Sequence, residues 1–361
     1  MARKALFSVR VKIRFILPSA ALFAVGLVVG GNEDVANTEE SLTATVREPR
    51  IERLRDPALR EMSVYLNDTA SLLAAKDYDA LETRALEALE KKERFSNGTW
   101  KLQAFYAAFS PAVDAPPEAW EARIAELKAW RAIRLTSATP HIALAEIYVR
   151  YAWKVRESAE MDVASGELTH PSDTRLEEAL RILEDARQLG IRDPQYWRTA
   201  HAVAVGLHWP AASLDEIHAQ GAALEPAYWP LDIARAFVLL AQGNDGLDAL
   251  NAFAAETSAA PGGIGDEIYA RIAWEVRDLY GNLFDETQLE WTRVEAGYRA
   301  LLRRHPGSPE LLSQYCLLAC RARDRATARR CFVKLGGRLD LRAFENARDF
   351  QRHYRWAHFT P

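Results

Sequence analysis

Apolar residues recur at three- and four-residue spacing through most of the chain after residue 50, and this spacing predicts α-helices. The clearest case is the segment 176–189, which has Glu and Arg on one face and apolar residues on the other. These apolar residues are Leu176, Ala179, Leu180, Leu183, Ala186 and Leu189. Stretches that alternate β-branched and polar residues are nearly absent. The pattern therefore predicts an all-α body over residues 51–361.

A short string that begins with proline occurs twice in this body. The string PQYW at 194–197 returns as PAYW at 226–229, an offset of 32 residues. This offset is close to the ~34 residues of tetratricopeptide helix pairs, which bury their apolar faces only by stacking on neighbouring pairs. We therefore expect an antiparallel helix-pair, tetratricopeptide-like solenoid of roughly seven to nine pairs. Its polar stretches at 156–174 and 241–266 are expected to be loops.

The first 31 residues combine a basic flank with an apolar run. Residues 2–14 carry five Lys or Arg and no acid, residues 15–31 carry no charge, and acidic residues follow. This order is typical of an export signal, with the basic flank left in the cytoplasm. An apolar helix of this length spans about 25 Å, slightly less than the ~30 Å of a bilayer core. The segment could therefore be either a retained membrane anchor or a cleaved signal peptide.

The chain thus divides into three parts by sequence pattern. Residues 1–31 form the signal anchor or signal peptide, 32–50 a polar tether with few apolar residues, and 51–361 the helical-repeat domain. The predicted fold class is all-α, a helix-pair solenoid preceded by an N-terminal apolar signal-anchor helix.

Several strings in the body occur in a fixed order. They are FSNGTWKL at 95–102, ALAE at 143–146, YAW at 151–153, DEIYARIAW at 266–274, AC at 319–320 and DRATAR at 324–329. In this order they resemble the bacterial domain-of-unknown-function family 4034, over roughly residues 60–357. The resemblance implies a bacterial, tetratricopeptide-like helical protein. It carries no known catalytic residues that could be transferred to this chain.

Composition and motif searches exclude several classes of protein. A net charge of −4 with 49% hydrophobic and 27% charged residues excludes a disordered, collagen-like or strongly nucleic-acid-seeking chain. The sequence has no His-Glu-x-x-His zinc motif and no Gly-x-Ser-x-Gly elbow. Carboxylate pairs such as Glu177 and Glu178 are flanked by Arg and Lys, which is typical of a solvated helix face. We therefore predict no catalytic residues, no metal, no cofactor and no nucleic-acid partner.

Aromatic residues are the main candidates for partner binding. The chain has ten Trp and 12 Tyr, more than a core of this size needs. Helical solenoids bind extended peptides on concave surfaces, whereas aromatic residues at helical spacing also fill cores, and both interpretations stay open. The candidate partner-binding residues are Trp100, Tyr106, Tyr148, Trp153, His201 and Trp274.

Two of the three cysteines could form a disulfide. Cys320 and Cys331 lie about equally far from a predicted turn near residue 325, and an exported domain permits oxidation. Helix axes ~8–10 Å apart make the required Cα separation below ~6.8 Å hard to reach. The alternative is that all three thiols fill core positions.

These observations predict a scaffold that binds a protein or peptide partner, held by residues 15–31 in the bacterial inner membrane as a single-pass protein with its body in the periplasm. If the signal is cleaved, the body is exported. One alternative is a cell-wall-directed hydrolase with a carboxylate site in the concave groove, and another is a purely structural member of an envelope complex. A deep pocket with two carboxylates in different environments would favour the hydrolase, and a shallow aromatic and charged groove would favour the binding protein.

Overall fold

The structure is a computed structural model that describes residues 49–359 except 55, 113, 161–170 and 243–245. The predicted signal anchor and nearly all of the predicted tether lie outside the described residues. Among the helices that the structure describes, none combines the length and the apolar composition that crossing a membrane requires.

The regular secondary structure of the described residues is almost entirely helical, which confirms the all-α prediction. The helices are α1 Pro57–Ala74, α2 Tyr78–Glu90, α3 Lys101–Ala107, α4 Pro117–Ile133, α5 Ala138–Glu160, α6 Pro171–Arg187, α7 Pro194–Gly206, α8 Ala211–Leu224, α9 Trp229–Leu240, α10 Gly246–Ala259, α11 Glu267–Val276, α12 Leu283–Glu286, α13 Trp291–Arg304, α14 Pro309–Arg321, α15 Arg325–Leu335 and α16 Ala347–Phe359. A 3₁₀ turn, Arg277–Leu279, follows α11, and the short strands are β1 Glu52–Arg53 and β2 Arg338–Leu339.

The helices begin where local chemistry favours a start. Asp77 and Asp324 cap α2 and α15, accepting hydrogen bonds from the backbone N–H groups of Ala80 at 3.1 Å and Thr327 at 2.9 Å. Proline occupies the first position of α7 and α14, where its missing N–H leaves no hydrogen bond unmade. The repeated string that begins α7 returns just before α9, so it marks two successive helices of the same layer.

The helices form an inner and an outer layer. Helix α5 packs beside α7, α7 beside α9, and α9 beside α11, while α6, α8 and α10 cover them from outside. Ten of the twelve residues of α9 are buried, against two of the fourteen in α8. An inner helix therefore buries residues on nearly every side, and an outer helix buries one stripe.

Helices occupy parts of both stretches that were predicted to be loops. Helix α10, Gly246–Ala259, lies inside 241–266, and α5 and α6 extend into 156–174. In α10, Leu250 and Ala254 are fully buried one turn apart, and eight of its fourteen residues are Ala, Leu or Phe, although the segments that flank it are rich in Gly and polar residues. The loop prediction was wrong for these segments.

The two ends of the helical array meet. Strand β1 pairs in parallel with β2, with Glu52 opposite Arg338 and Arg53 opposite Leu339. Gly337 allows this approach, because its φ is +85° and a Cβ there would lie 2.3 Å from the Arg50 carbonyl oxygen. We call the junction of residues 93–101, α11, α14 and 338–342 the seam. The two ends are also joined by side chains, because Asn97 donates a hydrogen bond to Glu310 and Arg342 pairs with Asp56.

Candidate functional site

A buried ion cluster occupies the inner face of α5 and α7. Glu146 is 1% exposed and contacts the guanidinium groups of Arg150 at 2.8 Å and Arg198 at 3.1 Å. Thr199 and Gln195 also donate hydrogen bonds to its carboxylate, at 2.8 and 3.1 Å. Burial alone would raise the pKa of Glu146, but the two arginines and Thr199 outweigh it and lower the pKa to about 2. The carboxylate of Glu146 is therefore held by four side chains, while the buried Arg198 Nε atom has no hydrogen-bond partner among the described residues.

Two buried tyrosines extend this network. The Tyr106 hydroxyl donates to Asp193 at 2.5 Å, and the Tyr228 hydroxyl donates to Gln195 at 2.5 Å. Asp193 also caps α7 through the Gln195 N–H at 2.8 Å, and burial raises the pKa of its carboxyl to about 6. The first turn of α7, which begins at Pro194, is therefore also held by Tyr106 from α3 and by Tyr228 from the segment before α9.

A cavity of about 70 Å³ lies at the seam, with room for a few water-sized groups. Its lining comes from the loop before α3 and from α9, α11, α13 and α14. The lining residues are Asn97, Thr99, Trp229, Ala270, Arg271, Trp274, Glu275, Tyr298, Leu301, Glu310, Leu311 and Gln314. Side chains that are far apart in sequence thus converge on one small polar space.

Two carboxyl groups in this seam cavity have different surroundings. Glu310 accepts hydrogen bonds from Asn97 at 2.8 Å and Gln314 at 3.1 Å, and lies 3.2 Å from the Arg342 guanidinium. Glu275 accepts no hydrogen bond from any described residue. Burial raises the pKa of each carboxyl to about 7. Because both oxygens of Glu310 face donors and those of Glu275 face none among the described residues, the ionised form is better stabilised at Glu310 than at Glu275.

Two hydrogen-bond donors at the seam cavity also lack partners. The Arg271 guanidinium lies over the Trp229 indole, 4.2 Å from the ring centre. The Arg271 Nε and Trp229 Nε1 atoms are buried and donate to no described group. A buried donor without an acceptor is destabilising, so each such group in a native protein calls for an explanation. Both donors belong to residues that line the cavity, but the donor atoms themselves have almost no accessible surface.

Gly98 places the loop that closes the seam cavity. Its φ is +83°, and a Cβ there would lie 2.9 Å from His305 Nε2 and 3.0 Å from an Arg271 nitrogen. Asn97 accepts a hydrogen bond from the Thr99 N–H at 3.0 Å, which holds the turn. The Asn-Gly pair therefore allows the close approach of this loop to α11 and to the end of α13.

A wider groove of about 760 Å³ runs along α1. We call it the α1 groove. It is lined by Asp56, Pro57, Arg60, Glu61, Val64, Tyr65, Asp68, Phe95 and Lys101. Val64 is 53% exposed, and the Tyr65 ring packs edge-on against Phe95 with centres 5.6 Å apart. The groove is shallow, aromatic at its floor and charged at its rim.

The residues predicted to bind a partner lie mostly in the interior. Side chains of Trp100, Tyr106 and His201 are each 1% exposed, and Tyr148 is buried too. Trp153 and Trp274 are half-buried. Trp274 lines the seam cavity, and none of the six lines the α1 groove. Partner binding by these residues stays a prediction, and for the three deepest side chains it requires the interior to open.

His201 is a core histidine in this structure. Burial lowers the pKa of its imidazole to about 3, and its Nε2 has no partner among the described residues. The ring is therefore neutral at physiological pH and packs as an apolar group.

The residues of the seam cavity were not among the predicted site residues. Arg271 and Glu275 lie one turn apart in a helix that is otherwise almost entirely apolar. Charged residues at such spacing within an apolar helix are the signal in the sequence that would have pointed to them.

All three cysteines lie among the described residues and are free and buried. The Cys316 thiol donates to the Ala328 carbonyl oxygen at 3.8 Å, and burial raises the pKa of this thiol. The thiols pack in the core between α14 and α15 in this structure, and the Cys320–Cys331 disulfide stays one of the two sequence-based alternatives. In the part of the chain that the structure describes, no three His, Cys, Asp or Glu residues are placed to hold a metal ion.

Comparison with known proteins gives no family for this chain. No family of known proteins matches it, and no curated protein is detectably similar in sequence. The resemblance to family 4034 therefore stays a prediction that rests on the strings quoted above.

Proposed function

We propose that this chain is a membrane-tethered, tetratricopeptide-like helical protein of the bacterial envelope that binds a protein or peptide partner. The observation that carries the proposal is the α1 groove, which offers about 760 Å³ of accessible space beside a half-exposed Val64. Apolar surface rimmed by polar residues is typical of sites where proteins bind a partner.

The groove indicates the chemistry of the partner. Val64, Tyr65 and Phe95 supply an apolar floor, and Glu61 and Asp68 are exposed acids at its rim. Lys101 is neutralised by Glu93 at 2.8 Å, which leaves the rim slightly acidic. A peptide segment with an apolar side chain next to a basic one would complement this surface.

The proposed tether fits this arrangement. Strand β1 begins at Glu52, four residues before Asp56, which lines the α1 groove. A chain anchored through residues 15–31 and tethered by 32–50 would therefore join the body beside the groove. We propose the inner membrane as the site of the anchor and the periplasm as the location of the body, with export after signal cleavage as the alternative.

A photo-crosslinker tests the binding proposal. A benzophenone amino acid placed at Val64 in the full chain, irradiated in intact envelopes, is expected to capture a defined partner. The matched control carries the same group at Val333, which is 70% exposed on α15, away from the groove. Equal capture at both positions, or none at Val64, would contradict the proposal.

Fractionation tests the anchor. Deletion of residues 1–31 is expected to move the chain out of the membrane fraction. An unchanged distribution would refute the anchor and leave the groove proposal standing.

The hydrolase alternative rests on a different observation, the two carboxyl groups of the seam cavity. Glu275 and Glu310 have different hydrogen-bonding surroundings, as an acid and a base require. The cavity of about 70 Å³ holds a few water-sized groups and not a sugar ring, so we rank this function second. Release of soluble fragments from purified cell-wall polymer by the wild-type chain, and not by Glu275→Gln, would support it.

A further inference from the structure

We propose that the seam is a polar latch at which the helical array opens, while its two hydrophobic cores stay packed on α9. The proposal concerns how the array closes and does not depend on which partner occupies the α1 groove. Its basis is the difference in chemistry between the two places where the halves of the array meet.

Most buried apolar residues of the array belong to one of two large cores. The first core lies within residues 73–231 and the second within 233–357. The boundary falls in α9, where Leu231 belongs to the first core and Ile233 to the second. Trp229, at the start of the same helix, packs against both. Helix α9 therefore joins the two cores through apolar contacts, and exposing this apolar surface to water is costly.

Hydrogen bonds and ion pairs join the same two halves at the seam. The segment 52–54 donates two backbone hydrogen bonds to 337–339, at 3.1 and 2.7 Å, and Asn97 donates to Glu310 at 2.8 Å. Ile51 adds an apolar contact, since it packs against the second core. Water replaces polar partners when they separate, so a hydrogen bond of this kind contributes only about 0.5–1.5 kcal/mol net. The seam is therefore the boundary at which the array opens at the lower cost.

Arg342 is the central residue of this latch. Its guanidinium group lies 2.7 Å from Asp56, 2.9 Å from Asp340 and 3.2 Å from Glu310. Asp56 caps α1, and Glu310 lies in the first turn of α14. The Arg342 side chain is 33% exposed, so water already reaches this cation in the closed array. One solvent-accessible cation therefore holds the start of α1 and the start of α14 to the segment that follows β2.

Opening of the latch would expose side chains that the closed array covers. Trp274, one of the residues predicted to bind a partner, lies in the wall of the seam cavity with Trp229 and Tyr298. Loss of the hydrogen bond from Asn97 to Glu310 would release the loop that closes this cavity. The latch therefore controls access to the wall of the seam cavity.

Amide hydrogen exchange of the full chain in detergent, measured by mass spectrometry, tests the latch. Asn97→Asp keeps the oxygen that accepts from the Thr99 N–H, but it replaces the donor that faces Glu310 by a second carboxylate. We expect exchange in peptides covering residues 50–56 to become roughly tenfold faster or more, because the latch opens as one unit. Peptides of α7, which lies in the first half of the array, should exchange at the wild-type rate.

A second variant and a matched control accompany this measurement. Arg342→Gln removes the cation that pairs with Asp56 and should accelerate exchange in the same peptides. Asn346→Asp is the control, because Asn346 is exposed and its oxygen also accepts a backbone hydrogen bond, from Asp349 at 3.0 Å. This control adds the same charge outside the seam and should exchange like the wild type.

Three results would overturn the latch. The first is wild-type exchange of residues 50–56 in either Asn97→Asp or Arg342→Gln. The second is an equal acceleration in α7, which would mean that the whole chain unfolds and not the seam alone. The third is complete exchange of residues 50–56 in the wild type at the earliest time, because a closed latch protects the hydrogen-bonded amides of this segment.

Discussion

Replacing Glu146 by Gln should strongly destabilise the protein at neutral pH. The substitution keeps the size of the side chain but removes the charge that Arg150 and Arg198 face at 2.8 and 3.1 Å. Both arginine side chains stay buried, with 9% and 6% of their surface exposed. Removing one partner of a buried ion pair costs about 3–5 kcal/mol, because the remaining charge is left desolvated without compensation. We expect a loss in the free energy of unfolding of this order.

The pKa of Glu146 gives a second measure of the same interaction. Folding lowers this pKa from the ordinary 4.5 to about 2, so the carboxylate contributes stability above pH 4.5 that is lost as the pH falls toward 2. At ~1.4 kcal/mol for each pKa unit, the full contribution is about 3 kcal/mol. The glutamine variant lacks this titration. The difference between wild type and variant should therefore be largest at neutral pH and shrink in acid.

Urea unfolding followed by circular dichroism measures both effects. Wild type and Glu146→Gln are compared at neutral pH and at about pH 3, in the middle of the titration window. Glu177→Gln, at an exposed position on α6, is the control for loss of a carboxylate and should behave like the wild type. Two results would refute the buried ion cluster. One is a urea midpoint of Glu146→Gln equal to that of the wild type at neutral pH, and the other is a difference in stability between the two proteins that stays the same at about pH 3.

Three further predictions concern the seam and the cysteines. Burial raises the pKa of Glu275 to about 7, so the wild type loses stability as the pH rises from 4.5 to 7. Above pH 7 the free energy of unfolding of Glu275→Gln, measured in urea, should exceed that of the wild type by about 1–3 kcal/mol. A variant that is no more stable than the wild type at this pH would contradict the raised pKa. Gly98→Ala should lower the free energy of unfolding by about 1–3 kcal/mol more than Gly190→Ala. Both glycines have positive φ, but among these two only Gly98 has neighbours within 4 Å of an added Cβ. Equal losses in urea unfolding would show that the loop is not packed against the seam. Mass mapping without reductant should find three free thiols, and a peptide linked through Cys320 and Cys331 would show that the native protein departs from this structure.

Periodicity predicted most of the helices because each buries its own stripe. The face predicted for 176–189 is the buried face of α6, with Leu176, Ala179, Leu183 and Ala186 all 1% exposed or less. Periodicity failed for α10, whose surroundings are rich in Gly and polar residues. That helix is stabilised by packing against α9 and α11, and single-sequence patterns carry no information about such neighbours.

The seam cavity could not be predicted, because it depends on contacts between distant parts of the chain. Asn97 bonds Glu310 across 213 residues, and Arg342 pairs with Asp56 across 286. A helical repeat pattern specifies how each pair stacks on the next, and it does not specify whether the last pair returns to the first. The sequence therefore led us to expect an open concave face, because the repeat pattern does not show that the last helices contact the first.

Closure of the array changes where a partner or ligand can bind. In an open solenoid the inner face is the binding surface, and its aromatic residues are accessible. Here many side chains of that face are buried against one another, as the pairing of Glu146 with two arginines and the burial of Trp100 illustrate. The candidate surfaces that remain lie on either side of one loop, because Phe95 and Lys101 line the α1 groove while Asn97 and Thr99 line the seam cavity. The loop of residues 93–101 therefore contributes side chains to both surfaces, so the contacts that close the array also fix one wall of the α1 groove.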